Sequence, residues 1–204
     1  MINKTYEELL DLQNRAKNGD RDAQLEFGLI FYSEKLNNEK ALYWISKSAA
    51  HGNTDAIVGL GVFYENGECG VKQDYFKASQ YYIEAAKKGD KDAKTLLGDL
   101  VILGKVKGLE FKNIFNYYEK INSENDSNDI YILGLCYERG IGVKSDWVQA
   151  IKLYVKAYEF KNRGAMMHLA DFVRENYYWY YVNEIAETWT IRPIWNASYP
   201  ISGP

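Results

Sequence analysis

One short pattern recurs along this 204-residue chain. In its first three copies a glycine is followed four residues later by an alanine, and five residues after that by a second glycine. We call this last site the anchor position. Its occupants in five successive copies are Gly28, Gly61, Gly98, Gly134 and Ala170, which are separated by 33, 37, 36 and 36 residues. Self-similarity at such a period predicts an array of stacked units rather than one globular core.

Each unit has the pattern of two helices joined by a turn. Ahead of the turn in the second unit, Ala56, Leu60 and Phe63 recur at helical spacing. After the turn, Lys77-Ala78 is followed three residues later by the aromatic Tyr81, and the other units carry related patterns. A glycine inside a helix costs about 1 kcal/mol relative to alanine. Its recurrence at the anchor position predicts that a partner helix approaches too closely for a side chain.

Polar residues and glycines mark the expected helix ends. Gly52 and Gly89 follow second helices, where a left-handed backbone conformation would end each helix. Residues with short side chains that can accept a hydrogen bond stand where the next helix begins. These expected N-caps are Asp20, Asn53 and Asp90 before first helices, and Asp74 and Asp146 before second helices.

The fourth unit carries a family resemblance. Its run Leu133-Gly134, Tyr137, Gly140-Ile141-Gly142-Val143, Asp146 and Ala150 resembles the Sel1-like repeat, a relative of the tetratricopeptide repeat. The resemblance covers about residues 16–190 and implies an all-α, right-handed α-solenoid of about five helix-turn-helix repeats. The third and fifth units depart from it in their turns. The expected divisions are an N-terminal capping helix over 1–18, repeats over about 19–52, 53–89, 90–125, 126–162 and 163–190, and an extended aromatic tail over 191–204.

The resemblance also implies that first helices line a concave groove. Residues three before each anchor, and one and four after it, then face a bound protein or peptide. This surface begins apolar and becomes more charged towards the C-terminal end, which suits a segment with apolar contacts and a polar rim. Alternatively, some of these residues pack against neighbouring repeats. The expected partner-binding residues are Leu25, Leu29, Tyr32, Val58, Val62, Glu65, Asp99, Tyr131, Leu135, Glu138, Met167, Asp171 and Arg174, together with Tyr178 and Trp179.

Tyr178 and Trp179 belong to five consecutive aromatic residues that replace the turn of the fifth unit. Five such residues cannot all be buried on one side of a helix, so this segment either contacts a partner or covers the last repeat. The proline-broken tail that follows cannot continue a helix. It either folds back over the array or docks elsewhere.

No constellation of residues for catalysis is evident. His51 and His168 are the only histidines and lie in different units, so we expect no catalytic residues, no metal site and no cofactor. The glycine turns lack the Lys-Ser/Thr of a phosphate-binding loop. Cys69 lies in a turn and could be reactive if Lys72 lowered its pKa.

Composition restricts the partner and the compartment. The net charge of −3 disfavours nucleic acid, and no run of apolar residues is long enough to span a membrane. The first eight residues do not resemble a secretory signal, and two isolated cysteines suit a reducing compartment. We therefore expect a cytoplasmic protein that is a monomer or a weak dimer.

These features favour a non-catalytic protein–protein interaction module. The small size resembles that of bacterial family members that bind and neutralise a toxin, so an immunity protein acting on a toxin domain is one hypothesis. Adaptors or scaffolds in signalling or secretion are the alternative. A hydrolase and a self-assembling structural protein are further hypotheses.

Overall fold

A computed structural model describes residues 4–122 and 126–174, and all regular structure within these ranges is helical. The helices are α1 (Tyr6–Lys17), α2 (Arg21–Ser33), α3 (Asn38–Ala50), α4 (Thr54–Asn66), α5 (Tyr75–Lys87), α6 (Lys91–Ile102), α7 (Lys112–Ile121), α8 (Ser127–Arg139), α9 (Trp147–Glu159) and α10 (Arg163–Arg174). A short 3-10 helix, Leu109–Phe111, leads directly into α7. The predicted all-α solenoid is confirmed. Tyr178, Trp179 and the tail lie outside the described residues.

The helices begin and end where the sequence predicts. Side chains of all five expected N-cap residues accept hydrogen bonds from backbone amides in the first turn; these residues are Asp20, Asn53, Asp74, Asp90 and Asp146. Gly52 and Gly89 have φ angles of +84° and +92°, in the left-handed region that favours glycine. A second helix can therefore stop and the next first helix can start within a few residues.

The helices form two layers. First helices α2, α4 and α8 each pack against the second helix that follows them, whereas α6 packs mainly against the preceding second helix, α5, and α10 packs against α9. Contacts between α6 and α8, and between α5 and α7, join successive units within each layer. The largest core cluster lies between the layers and extends from Ala78 to Ala165. At the N-terminal end, α1 buries Leu12 and Ala16 against α2.

The anchor glycines Gly28, Gly61 and Gly134 lie against the second helix of their own unit, whereas Gly98 lies against Ile132 of α8. A Cβ atom built on Gly134 would lie 2.5 Å from Cε1 of Tyr154, and one built on Gly61 would lie 2.7 Å from Cδ1 of Tyr82. Real Cβ atoms do not approach other atoms this closely. The prediction that a partner helix excludes a side chain here is therefore confirmed.

The third unit keeps the stacking although its turn differs from the others. Val106 in this turn is buried, and the Gly142 N–H in the turn of the fourth unit donates a 2.9 Å hydrogen bond to the Gly108 carbonyl. A side chain on Gly142 would collide with the backbone at Phe111. The two turns therefore pack directly on each other.

Across the part of the chain that is described, no helix combines the length and the apolar character needed to cross a lipid bilayer.

Candidate functional site

One side of each first helix carries the candidate binding residues. Positions six and three before the anchor, and one and four after it, are spaced three, four and three residues apart, so they share a helix face. We call this surface the first-helix stripe. It consists of Asp22, Leu25, Leu29 and Tyr32 on α2; Asp55, Val58, Val62 and Glu65 on α4; Asp92, Thr95, Asp99 and Ile102 on α6; Asn128, Tyr131, Leu135 and Glu138 on α8; and Gly164, Met167, Asp171 and Arg174 on α10.

The stripe presents apolar surface in its first three units. Leu29 is 45% exposed and Ile102 is 41% exposed, although both side chains are large and apolar. Leu25, Val58 and Val62 are half-buried beside them. Tyr32 is also exposed; its ring packs against Phe63, and its hydroxyl donates a hydrogen bond to Glu68 of the next unit. This part of the surface can take up apolar side chains of a partner.

In the fourth unit, one of the predicted partner-binding residues is buried. Leu135 is fully buried, so its assignment as a partner-binding residue is wrong. The Arg139 guanidinium donates hydrogen bonds to the carbonyls of Val101 and Ile102 at 2.5 Å and 3.2 Å, which ties α8 to the C-terminal end of α6. Leu135 itself belongs to the largest core cluster, which also contains Val101 of α6 and Tyr154 of α9.

Tyr131 is half-buried and belongs largely to the packing between the fourth and fifth units. Its ring lies 5.8 Å from Tyr154 and 5.6 Å from His168, and it fills the space beside Gly164. Little of the Tyr131 side chain is therefore accessible to a partner.

The two glutamates of the stripe fasten one unit to the next. Glu65 accepts a 2.6 Å hydrogen bond from the Tyr82 hydroxyl and forms a 2.6 Å ion pair with Lys105 of the third unit. Glu138 accepts a hydrogen bond from the Tyr154 hydroxyl. It also contacts Nδ1 of His168, in the fifth unit, at 3.1 Å. Both carboxylates are therefore already engaged within the array.

This environment shifts the pKa values of the groups involved. Burial, together with the hydrogen bond to glutamate, raises the pKa values of Tyr82 and Tyr154 far above the ordinary tyrosine range. Burial alone would raise the pKa of Glu138, but hydrogen bonds from His168 and Tyr154 hold it below its usual value. Both tyrosines therefore stay protonated donors while Glu138 stays ionised at neutral pH.

The C-terminal end of the stripe is open and polar. Met167 is 63% exposed, and Asp171 and Arg174 form an exposed ion pair at 3.0 Å. Asp99, in the third unit, is half-buried. The structure thus brings most of the predicted residues to one face, with Tyr178 and Trp179 outside the described ranges.

The cysteines are not poised for chemistry. Cys69 points into the core of the second unit, and burial raises its pKa, so our hypothesis of a reactive thiol activated by Lys72 is wrong. Burial also raises the pKa of Cys136 to about 12. Within residues 4–122 and 126–174, no three His, Cys, Asp or Glu side chains cluster closely enough to hold a metal ion.

Sequence reasoning missed a shallow depression of about 600 Å³ on the second-helix layer. Leu42, Tyr43 and Lys47 of α3 form one side of it, and the turn at Cys69 and Gly70 forms the other. In the sequence, the depression could have been indicated by Tyr43, an aromatic residue four positions before Lys47 on the same helix. The structure shows that this tyrosine is exposed.

A family model described as the Sel1 repeat matches residues 23–53, 54–90 and 129–159. These segments contain the first, second and fourth helix pairs of the array. The third pair, which carries the altered turn, lies between the matched segments.

Individual proteins are similar to parts of the chain. Chitin synthase regulatory factor 1 of Schizosaccharomyces pombe is 31% identical over 56% of this chain and 25% of its own length. The Sel1-repeat-containing protein YjcO of Escherichia coli is 29% identical over 64% of this chain and 58% of its own length. The chain thus spans between a quarter and about three fifths of these relatives.

Among solved structures, a protective antigen of uropathogenic Escherichia coli strains displaying an SLR fold is 31% identical to this chain. The match covers 79% of this chain and 35% of the antigen, with a TM-score of 0.49.

Proposed function

We propose that this chain, which carries Sel1 repeats over residues 23–53, 54–90 and 129–159, is a non-catalytic binding module whose first-helix stripe holds a segment of another polypeptide. The observation that carries this proposal is the exposure of Leu29 and Ile102 on the stripe. These two large apolar side chains lie on the same stripe, one and four residues after their anchors in the first and third units, and they offer exposed contact surface along the array.

Site-specific photo-crosslinking in the source cells tests this proposal. A photoreactive phenylalanine analogue placed at Leu29 should yield a discrete adduct with another polypeptide. The same analogue at Tyr43, which is 51% exposed on the second-helix layer, is the matched control and should yield none. Adduct formation from Tyr43 alone, or from neither site, would contradict binding at the stripe.

A charged substitution provides an independent measurement. Leu29→Asp should weaken capture of the crosslinked partner by about tenfold or more, since it places a charge in the apolar part of the contact. Tyr43→Asp should leave capture unchanged. Equal losses in both variants would mean that the stripe is not the binding surface.

Within this function we propose the narrower role of an immunity protein that blocks a toxin. The carboxylates of the stripe support this role because they suit a basic effector. A toxic product encoded beside this chain should arrest growth when expressed alone, and the wild-type chain should restore growth while Leu29→Asp does not. Absence of any such toxic product would leave the adaptor role as the better explanation.

The alternative is an adaptor or scaffold in signalling or secretion. The regulatory role that the name of the fission yeast relative describes favours this alternative. An adaptor should bring two proteins into one complex, and co-purification of both through separate surfaces would support it.

A further inference from the structure

All charged residues of the first-helix stripe in the first three units are carboxylates. Five stripe positions there carry Asp or Glu, and none carries Lys or Arg; the five are Asp22, Asp55, Glu65, Asp92 and Asp99. Glu65 is neutralised by Lys105, and Asp22 accepts a hydrogen bond from Asn53 and lies 3.6 Å from the Arg21 guanidinium. Asp55 and Asp92 are exposed and form no ion pair with any other described residue.

The second-helix layer has the opposite charge. Each of its four helices carries two lysines and one glutamate: Lys40, Lys47 and Glu39 on α3; Lys77, Lys87 and Glu84 on α5; Lys112, Lys120 and Glu119 on α7; and Lys152, Lys156 and Glu159 on α9. The net charge of the chain is only −3, yet the stripe is negative and the second-helix layer is positive. A partner approaching the stripe meets negative potential, and one approaching the other layer meets positive potential.

The stripe begins with an aspartate in each of the first three units. Asp22, Asp55 and Asp92 occupy the same position in successive units and form one edge of the stripe. The exposed or half-buried Leu29 and Val62 lie one to two helical turns further along each helix. In the first two units the surface is thus an apolar strip with a negative edge, and in the third unit Thr95 and Asp99 precede the apolar Ile102.

Helix stability alone accounts for only part of this order. An aspartate in the first turn is favoured by the helix dipole. In all three helices, however, the N-cap residue already accepts hydrogen bonds from the first-turn amides. The dipole also gives no reason for Asp99, which lies in the second half of α6.

From this arrangement we infer that the occupant of the stripe is a cationic amphipathic polypeptide segment. Its apolar side packs against Leu29, Val62 and Ile102, and its lysines or arginines pair with Asp55, Asp92 and Asp99. The inference rests on the proposed function, because it specifies the chemistry of the segment that the same surface binds. Apolar contact supplies most of the affinity, and the carboxylates select the sign of the partner's charge.

Three short fluorescent peptides test the inference on the full chain. The first places leucines and lysines on opposite sides of a helix, the second replaces every lysine with glutamate, and the third keeps the lysines but replaces every leucine with serine. Fluorescence anisotropy at low salt and at physiological ionic strength measures binding. Only the first peptide should bind tightly, and its affinity should fall as salt increases.

Two triple variants with the same change in net charge separate local from overall electrostatics. Asp55→Asn/Asp92→Asn/Asp99→Asn should weaken binding of the first peptide by about tenfold, as expected for the loss of several exposed charge pairs. Glu39→Gln/Glu84→Gln/Glu119→Gln removes three carboxylates from the second-helix layer and should change affinity by less than about twofold. Thermal unfolding of both variants verifies that the fold is retained.

The inference is overturned if the anionic peptide binds as tightly as the cationic one, or if both triple variants lose affinity equally. It is also overturned if crosslinking from Leu29 identifies an occupant segment that is neutral or acidic. In that last case binding at the stripe stands and only the charge of the partner is wrong. If crosslinking and all three peptides fail, the proposed function falls as well.

Discussion

The ring of Tyr154 lies directly against the backbone of Gly134, so that a methyl group on this glycine would lie 2.5 Å from the ring. The tyrosine hydroxyl then reaches Glu138, four residues beyond the glycine on the same helix. Tyr82 makes the same pair of contacts, with Gly61 and with Glu65. In both units the tyrosine of the second helix packs on the glycine of the first helix and donates a hydrogen bond to its glutamate. These contacts hold the two helices of the unit together.

Two glycines in α4 separate this packing requirement from helix propensity. Gly61→Ala should lower the free energy of unfolding by about 1–3 kcal/mol, because its methyl group collides with Tyr82. Gly59→Ala places its methyl group 3.9 Å from the nearest atom of Ile45 and should stabilise the helix by up to about 1 kcal/mol. Urea denaturation followed by circular dichroism measures both. Stabilisation by both substitutions would refute the close approach.

The buried carboxylate of Asp129 makes Lys94 important for stability. The Lys94 ammonium lies 2.7 Å from Asp129 and 3.1 Å from Asp126. Lys94→Met should destabilise the protein by about 3 kcal/mol, because a buried charge loses its partner. Adding Asp129→Asn should restore part of the loss. Lys91→Met, on an exposed residue of the same helix, is the control and should change stability by less than about 0.5 kcal/mol. A double-mutant cycle without coupling would contradict this role.

Glu138 should contribute to acid sensitivity. The pKa of its carboxyl group is lower in the folded state than its ordinary value of 4.5, so the unfolded state binds more protons in this range. Its stabilising contribution is therefore complete above about pH 4.5 and is lost as the pH falls through the lower folded-state pKa. Glu138→Gln should flatten this part of the stability profile. Tyr154→Phe removes a hydrogen bond to the carboxylate and should move the loss to higher pH. Identical profiles for wild type and Glu138→Gln would show that the carboxylate is not coupled to folding.

Leu29 and Leu135 occupy the same position on different first helices but should respond differently to truncation. Leu135→Ala should destabilise the protein by about 2–5 kcal/mol, because it opens a cavity in the core. Leu29→Ala should change stability by less than about 1 kcal/mol, since the side chain is 45% exposed. Thermal and urea unfolding provide the comparison. Comparable losses would mean that the stripe packs uniformly across the units.

The elements that depend on local sequence could be predicted from the chain alone. Helix starts such as Asp74 depend on one side chain and the amides next to it, so their pattern is visible in sequence. The role of Gly61 could be inferred because a glycine that recurs inside helices needs a reason.

Contacts between units could not be predicted in the same way. Helical periodicity placed Leu135 on the same face as Leu29, but it carries no information on how closely α8 approaches α6. Arg139 of α8 donates hydrogen bonds to two backbone carbonyls of α6, a contact between units that no local sequence pattern reveals. The roles of Glu65 and Glu138 were also missed, because each depends on a tyrosine that crosses from the opposite layer.

The opposite charge of the two layers gives the molecule a permanent electric dipole moment directed through the thickness of the array. In the field of a charged neighbour such a molecule experiences a torque before any atoms touch. A positively charged partner therefore turns the first-helix layer towards itself during diffusion, which raises the fraction of productive encounters. Added salt shortens the range of this orienting effect and should slow association more than it speeds dissociation.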